Sequence, residues 1–159
     1  MTSGHEIAMA LRAAYRALHR QTDALLAARG ATADQFVLMS LLAEEDDLTQ
    51  QELVRRASSD ANTVRAMLVL LEHQGLVSRR PHARDARARS VALTPKGRRI
   101  YARLWARSEP FRQQFLSALG QDEAAALVEG LQRITQAMGP PAIRRGRNRR
   151  RLAPAAADT

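Results

Sequence analysis

The sequence predicts a mainly α-helical domain with a small β-hairpin, and three observations carry that prediction. Hydrophobic residues, largely Ala and Leu, make up 45% of the 159-residue chain and recur at helical spacing along most of it. Thr49 and Glu52 form a capping-box pair at the start of a short helix. After Gly75 the pattern changes to the alternation that is typical of strands.

The first two elements are helices. A long helix is predicted over 5–29 and ends at Gly30, and Thr32 caps a second one. The acidic run at 44–47 closes the second helix. We interpret this run as a solvated turn, because a metal site would need ligands from elsewhere in the chain.

Two short helices joined by a tight turn follow, as in a helix-turn-helix. The first spans 50–57. The second spans 60–74, with Ser59 or Asp60 as its cap and Gly75 as its left-handed end. A solvated helix would carry Glu and Lys on its outer face. The outer face of this helix is instead small and nearly uncharged, with Asn62, Ala66 and Val69 flanked by Thr63 and Arg65.

A hairpin and further helices complete the chain. Strands are predicted at 76–80 and 89–93, joined by a long basic tip at 81–88, and a hairpin in this place would be a wing. Thr94-Pro95 restarts a helix, which Pro110 divides near residue 109 and which Gly120 ends. A last helix is predicted over 122–138. The Arg-rich tail at 140–159 is predicted to be disordered.

Charge is concentrated in two segments. The net charge is +9, of which residues 76–99 contribute +7 and residues 140–159 contribute +5, whereas residues 1–75 carry −3. Localised basic surface indicates a polyanionic partner, usually nucleic acid.

Several function classes are excluded or disfavoured. The chain has no cysteine, which removes thiol chemistry. Its four histidines show no metal-ligand spacing, and no cofactor is implied. There is no Gly-rich phosphate loop, HExxH motif or plausible Ser-His-Asp set, so an enzyme is not expected. Without a signal peptide or an apolar run of about 18–20 residues, a cytoplasmic location is expected.

The segment 35–99 resembles the MarR family of winged-helix transcriptional regulators. The resemblance rests on "LTQQEL", "NTV", "LLEHQGLVSR", "DAR" at 85–87 and "LTPKG", which follow in the family's order and spacing. It implies a winged helix-turn-helix at 31–99, flanked by dimerisation helices at 1–30 and 100–139. A homodimer would then bind double-stranded DNA in successive major grooves.

Two positions depart from the family pattern. Where the family often has Arg, this chain has Ala66, with an Arg one place earlier. The turn that often reads Leu-Gly-Leu is Ala57-Ser58-Ser59 here. The operator sequence and base contacts of the family therefore do not carry over directly.

The outer face of the second short helix is expected to read DNA in the major groove. Asn62 would bond both adenine edge atoms. Thr63 would reach a phosphate or a thymine methyl group, or only cap its own helix. Arg65 would reach guanine or hold a phosphate. The expected contacts on this helix are Asp60, Ala61, Asn62, Thr63, Arg65 and Ala66. Those on the preceding helix and turn are Thr49, Gln50 and Ser59.

The wing supplies the other expected DNA contacts. The resemblance implies that Asp85 pairs with a wing arginine, for which Arg87 is the favoured partner unless it contacts DNA instead. Arg84 is then free for a narrow minor groove. The complete set on the wing is Arg79, Arg80, Arg84, Asp85, Arg87 and Arg89.

The resemblance also implies a small effector, often an aromatic or phenolic anion, in a cleft beside the dimerisation helices. Arg12, Tyr15 and His19 share one face of the first helix, and Met39 and Trp105 are further candidates for the cleft. The simpler interpretation, which we favour, places Tyr15 in the dimer core and Arg12 on the surface.

The sequence therefore predicts a DNA-binding transcriptional regulator, in particular a ligand-responsive repressor that binds a palindromic operator as a homodimer. The alternative is an architectural protein that binds nucleic acid without sequence preference through its basic wing and tail.

Overall fold

The computed structural model describes residues 1–27, 30–82 and 85–139, and for residues 82 and 85–88 it describes the backbone alone. Seven helices and three strands follow one another in this part of the chain. They are α1 (Gly4–Ala27), α2 (Ala33–Glu44), β1 (Leu48–Thr49), α3 (Gln50–Arg56), α4 (Ala61–His73), β2 (Val77–His82), β3 (Asp85–Leu93), α5 (Pro95–Arg107), α6 (Glu109–Leu119) and α7 (Gln121–Met138). The predicted tail at 140–159 lies outside the described residues.

The helix ends follow from local chemistry. Thr32 and Thr49 each close a capping box, with Gln35 and Glu52 respectively. Thr94 accepts a hydrogen bond from the Gly97 amide at the start of α5. The predicted division near residue 109 is confirmed, because α5 ends at Arg107 and α6 begins at Glu109.

Several of these helices end at glycines with a positive φ angle. Gly75 after α4 and Gly120 after α6 have φ angles of 69° and 72°, in the left-handed region that favours glycine. Both helix ends were predicted at these glycines.

The sheet differs from the prediction in two ways. Leu48 and Thr49 form a short third strand that pairs with β3 opposite Val91 and Ser90, which gives the antiparallel order β1-β3-β2. Two residues flanked by helices carry no alternating pattern, so sequence reasoning missed this strand.

The predicted long tip at 81–88 was wrong. The strands continue through it until His82 pairs with Asp85. Because β2 is an edge strand, Pro81 costs no ladder hydrogen bond. The register shifts after Pro81: Pro81 pairs with Arg89, but the next residue, His82, pairs with Asp85. Residues 86–88 of β3 therefore lie between these two pairs as an irregularity of the ladder.

One apolar core joins the helix-turn-helix to the sheet. Its fully or nearly fully buried members come from α2, α3, α4, the sheet and the segment before β2. They are Leu38, Met39, Leu42, Leu48, Leu53, Val64, Leu68, Leu71, Leu76, Val77, Val91 and Leu93. This packing fixes α4 on its inner side and leaves its outer side exposed.

Candidate nucleic-acid interface

The first turns of α3 and α4 lie side by side. The side chain of Gln50, at the start of α3, donates a 3.4 Å hydrogen bond to the carbonyl oxygen of Ala61, at the start of α4. Thr49 bonds within its own capping box with Glu52. Because helix N-termini carry partial positive charge, this arrangement brings two such ends together at one surface.

Asp60 caps α4 with both of its carboxylate oxygens. One oxygen accepts the Asn62 and Thr63 amides at 3.0 and 2.9 Å, and the other accepts the Thr63 hydroxyl at 2.6 Å. The Thr63 hydroxyl bond, followed by the bond from its amide, lowers the pKa of Asp60 below 3.8. The hydroxyl of Thr63 is therefore engaged in the local cap that sequence reasoning held as one alternative.

The outer face of α4 lies outside the core of the protomer. Asn62, Ala66 and Val69 are all exposed, and Val69 retains 50% of its accessible surface. Arg65 is exposed beside them and makes no ion pair with any residue that the structure describes. This ridge of short side chains is narrow enough to enter a groove about 12 Å wide.

The wing arginines differ in exposure and in ion pairing. Nε of Arg79 lies 3.3 Å from Oε2 of Glu72 on α4, and the Arg79 side chain is only 25% exposed. Arg80 is exposed, 3.7 Å from Asp47, and Arg89 is exposed on β3. Arg84 lies outside the described residues. The side chains of Asp85 and Arg87 also lie outside the described part of the chain.

The acidic run at 44–47 does more than form a solvated turn. Glu45 pairs with Arg56 of α3 at 2.6 Å, and Asp46 pairs with Arg98 of α5. Asp47 accepts a 3.1 Å hydrogen bond from the Ser90 hydroxyl in addition to its contact with Arg80. The run therefore ties α2 to α3, to the sheet and to α5, through contacts that are distant in sequence.

A cleft of about 320 Å³ lies between α1, α2, the turn before α4, and α6. We call it the interhelical cleft. Its wall is mostly apolar and aromatic, with a few polar groups. The lining residues are Tyr15, Leu18, His19, Thr22, Ala33, Asp34, Phe36, Val37, Ala57, Ser59, Met67, Ser108, Phe111, Arg112 and Phe115.

Two of the five residues expected around an effector lie on this cleft, namely Tyr15 and His19. Arg12 and Trp105 are not among the lining residues. Met39 is fully buried in the core, because it faces inward from α2, and it does not reach the cleft.

Sequence reasoning missed Arg112, the one arginine among the described residues of the cleft wall. Its guanidinium lies 3.7 Å from the centre of the Trp105 ring and donates a 2.8 Å hydrogen bond to the Trp105 carbonyl oxygen. Only the break between α5 and α6 brings this residue toward α1, so no local pattern marks it.

His19 connects α1 with the start of α2. Its Nδ1 lies 3.0 Å from Asp23 on α1, and its Nε2 lies 3.5 Å from Asp34 on α2. Asp23 also accepts a 2.7 Å hydrogen bond from the Ala33 amide. These contacts place two carboxylates around one imidazole at the edge of the interhelical cleft.

Neither a metal cluster nor a membrane span is present in the described part of the chain. No group of three or more His, Asp or Glu is arranged there to hold a metal ion. None of the helices that the structure describes is long and apolar enough to cross a bilayer.

Comparison with known proteins identifies relatives of one kind. The MarR family model matches residues 31–88. The transcriptional regulator HosA of Escherichia coli O157:H7 is 32% identical over 98 residues, which are 62% of this chain and 73% of HosA.

Solved structures share the fold. NadR in complex with 4-hydroxyphenylacetate is 27% identical, with a TM-score of 0.74 over 84% of this chain and 96% of NadR. The complex of S. aureus MepR with DNA is 21% identical, with a TM-score of 0.74 over 84% of this chain and 98% of MepR. At that identity the likeness to MepR shows the fold alone.

Proposed function

Because the chain belongs to the MarR family and is a DNA-binding transcriptional regulator, we propose that it is a homodimeric repressor whose affinity for a palindromic operator changes when a small aromatic or phenolic effector binds. Relatives of this chain are named transcriptional regulators, not enzymes. The observation that carries the proposal is the exposed, nearly uncharged outer face of α4 next to a basic wing.

The proposal gives α4 the base contacts. Asn62 lies in the first turn of α4 with an exposed side chain, and its amide matches the N6 and N7 atoms of adenine. Ala66 lies one turn further along and leaves room for a thymine methyl group. Arg65 binds guanine or a phosphate at the edge of the same face. Asp60 holds the cap, and Thr63 acts mainly through that cap.

The proposal gives the wing and the start of α3 the phosphate contacts. Arg80 and Arg89 are exposed on the strands of the wing, whereas Arg79 is held by Glu72 and mainly fixes the wing on α4. Gln50 lies beside the start of α4 and offers its backbone amide to the same DNA strand. The tail at 140–159, with its net charge of +5, would add affinity for DNA that does not depend on the DNA sequence.

The proposal assigns the segments 1–30 and 100–139 to dimerisation and 31–99 to DNA binding. No residue of α6 or α7 is buried in the protomer. Both helices nevertheless carry large apolar side chains that are at least 37% exposed: Phe115, Leu116, Leu127, Val128, Leu131 and Met138. Apolar surface on this scale is typical of a protein interface, and a second copy of the chain would cover it.

The proposal places the effector in the interhelical cleft. Aromatic side chains of α1, α2 and α6 line it, and NadR, which shares the fold, was solved with 4-hydroxyphenylacetate. Met67 of α4 and Ser59 of the preceding turn also face the cleft. A ligand there touches the helix that enters the groove, so it shifts the population of DNA-competent dimers if it prefers another arrangement.

Two measurements test the proposal. Light scattering should give a mass of about twice 17.6 kDa, and Leu127→Asp should give the protomer, since Leu127 is 45% exposed in the single chain. Gln136→Asp, on the opposite side of α7, is the matched control and should stay dimeric. A wild-type monomer would contradict the dimer.

Repression is tested by transcription in vitro from a promoter that overlaps the bound site. Wild-type protein should reduce the transcript, and Asn62→Ala should need a higher concentration for the same reduction. Unchanged transcription with the wild type, at concentrations that saturate the site, would contradict repression.

A further inference from the structure

We propose that the interhelical cleft selects an uncharged or cationic aromatic molecule and disfavours a carboxylate, with Asp34 as the group that meets the ligand's positive or hydrogen-donating end. This inference rests on the proposed effector site and adds the charge of its ligand. It follows from the charges around the cleft and from the way in which Arg112 is already bound.

Among the residues that the structure describes, the charges on the cleft wall and their ion-pair partners sum to a negative value. Asp34, His19 and Arg112 line the cleft, and their ion-pair partners are Asp23 and Glu109. Three carboxylates therefore face one permanent cation and one imidazole. The set carries −2 when His19 is neutral and −1 when it is protonated, so an anionic ligand meets like charge in either state.

Three hydrogen bonds already engage the guanidinium of Arg112, so a ligand carboxylate meets a cation that is paired within the protein. Its Nη2 donates to Glu109, and its Nη1 donates to the Ser108 hydroxyl and to the Trp105 carbonyl oxygen. The guanidinium carbon lies over the Trp105 ring, 3.7 Å from its centre. Gln113, which donates to Glu109, lowers the pKa of that carboxyl, and Arg112 lowers it further. Glu109 is therefore ionised at neutral pH, and it offsets the positive charge that Arg112 would otherwise present to a ligand carboxylate.

Asp34 has capacity for a ligand. Only its Oδ1 approaches His19, at 3.5 Å, and its side chain is 52% exposed. A ligand ammonium or hydroxyl group drawn to Asp34 competes with His19, whose contact with Asp34 is one of the contacts between α1 and the first turn of α2. Occupancy of the cleft would in this way loosen α1 from the DNA-binding lobe.

The test uses three probes with the same phenylpropyl body: 3-phenylpropylamine, 3-phenylpropanol and 3-phenylpropionate. Calorimetric titration of the full chain should show the amine and the alcohol binding roughly fivefold or more tightly than the carboxylate, a modest factor because the charges are partly solvated. Asp34→Asn should weaken the binding of the amine by roughly fivefold and change the binding of the alcohol by less than about twofold. Asp122→Asn, an exposed carboxylate outside the cleft, is the matched control and should change none of the three.

A second variant tests whether the pairing of Arg112 with Glu109 weakens the binding of a carboxylate. Glu109→Gln removes the anion that occupies the guanidinium, and it should tighten 3-phenylpropionate by roughly fivefold. If the carboxylate is the tightest of the three probes on the wild type, or Asp34→Asn leaves the amine unchanged, the charge inference is overturned while the cleft stands as a binding site. If none of the probes binds, the effector site itself is overturned, and the charge inference with it.

Discussion

The hydroxyl of Thr63 donates a 2.6 Å hydrogen bond to Oδ2 of Asp60, the residue that caps α4. The same carboxylate accepts two backbone amides of the first turn. The end of α4 that would enter the major groove is thus ordered by one acidic residue.

The first prediction concerns the titration of Asp60. Its carboxyl should titrate below 3.8, because the Thr63 hydroxyl and then the Thr63 amide stabilise the ionised form. A pKa that is lower in the folded state stabilises the fold fully above pH 3.8, and this contribution is lost as the pH falls through the folded-state pKa. Thr63→Val should move the Asp60 pKa back toward 3.8, whereas Thr63→Ser should retain the shift. Side-chain NMR titration measures this, and an unchanged pKa in Thr63→Val would refute the assigned cause.

The second prediction concerns the turn between α3 and α4. Ser58 has a φ of 49°, a left-handed conformation that side chains disfavour by about 1–2 kcal/mol. Ser58→Gly should therefore raise the free energy of unfolding by about 0.5–1 kcal/mol, since the extra freedom of glycine in the unfolded chain offsets part of the gain. Ser59→Gly, where φ is not positive, should lower it by a similar amount. Urea unfolding measures both, and equal losses would show that Ser58 is not strained.

The third prediction concerns the contact between α5 and the start of the hairpin. A Cβ atom on Gly97 would lie 2.0 Å from the carbonyl oxygen of Leu76. That oxygen already accepts the Thr94 amide at 3.0 Å, so it has little room to move. Gly97→Ala should cost about 3 kcal/mol of unfolding free energy. Gly4→Ala, with no atom within 4 Å of the new methyl group, should change it by less than about 0.5 kcal/mol. A stable Gly97→Ala protein would contradict this packing.

The fourth prediction separates two wing arginines by salt dependence. Arg89→Ala should reduce the slope of log K against log salt by about 0.9 for each phosphate that the side chain no longer neutralises. Arg79→Ala should leave that slope nearly unchanged, because its guanidinium pairs with Glu72, and should act instead through the stability of the wing. Binding of one duplex measured across a range of salt concentrations distinguishes the two, and a larger change of slope for Arg79 would reverse their roles.

Sequence reasoning succeeded where the cause is local. The caps at Thr32, Thr49 and Thr94 and the helix ends at Gly75 and Gly120 depend on neighbouring residues, and the structure has them where they were predicted. The helix boundaries followed from these positions. The resemblance of residues 35–99 supplied the winged helix-turn-helix and the family, which the comparisons confirm.

The features that were missed depend on contacts between distant residues. Strand β1 exists because β3 runs beside Leu48, 43 residues away from its partner Val91. The acidic run appeared solvated until the fold brought Arg56 and Arg98 to it. Arg112 enters the cleft wall only because α6 turns back toward α1. A pattern along the chain encodes none of these distances.

Base reading by α4 is the central claim, and selection of bound duplexes from a random pool, at about the physiological salt concentration of 0.15 M, tests it most directly. Wild-type protein should enrich a palindrome whose half-sites lie about one DNA turn apart. Asn62→Ala should lose the preference at one base pair of each half-site, worth about 1–3 kcal/mol. Gln74→Ala, at the far end of α4, should enrich the wild-type sequence. Enrichment of no sequence by the wild-type protein, or of the same palindrome with undiminished preference by Asn62→Ala, would contradict the account.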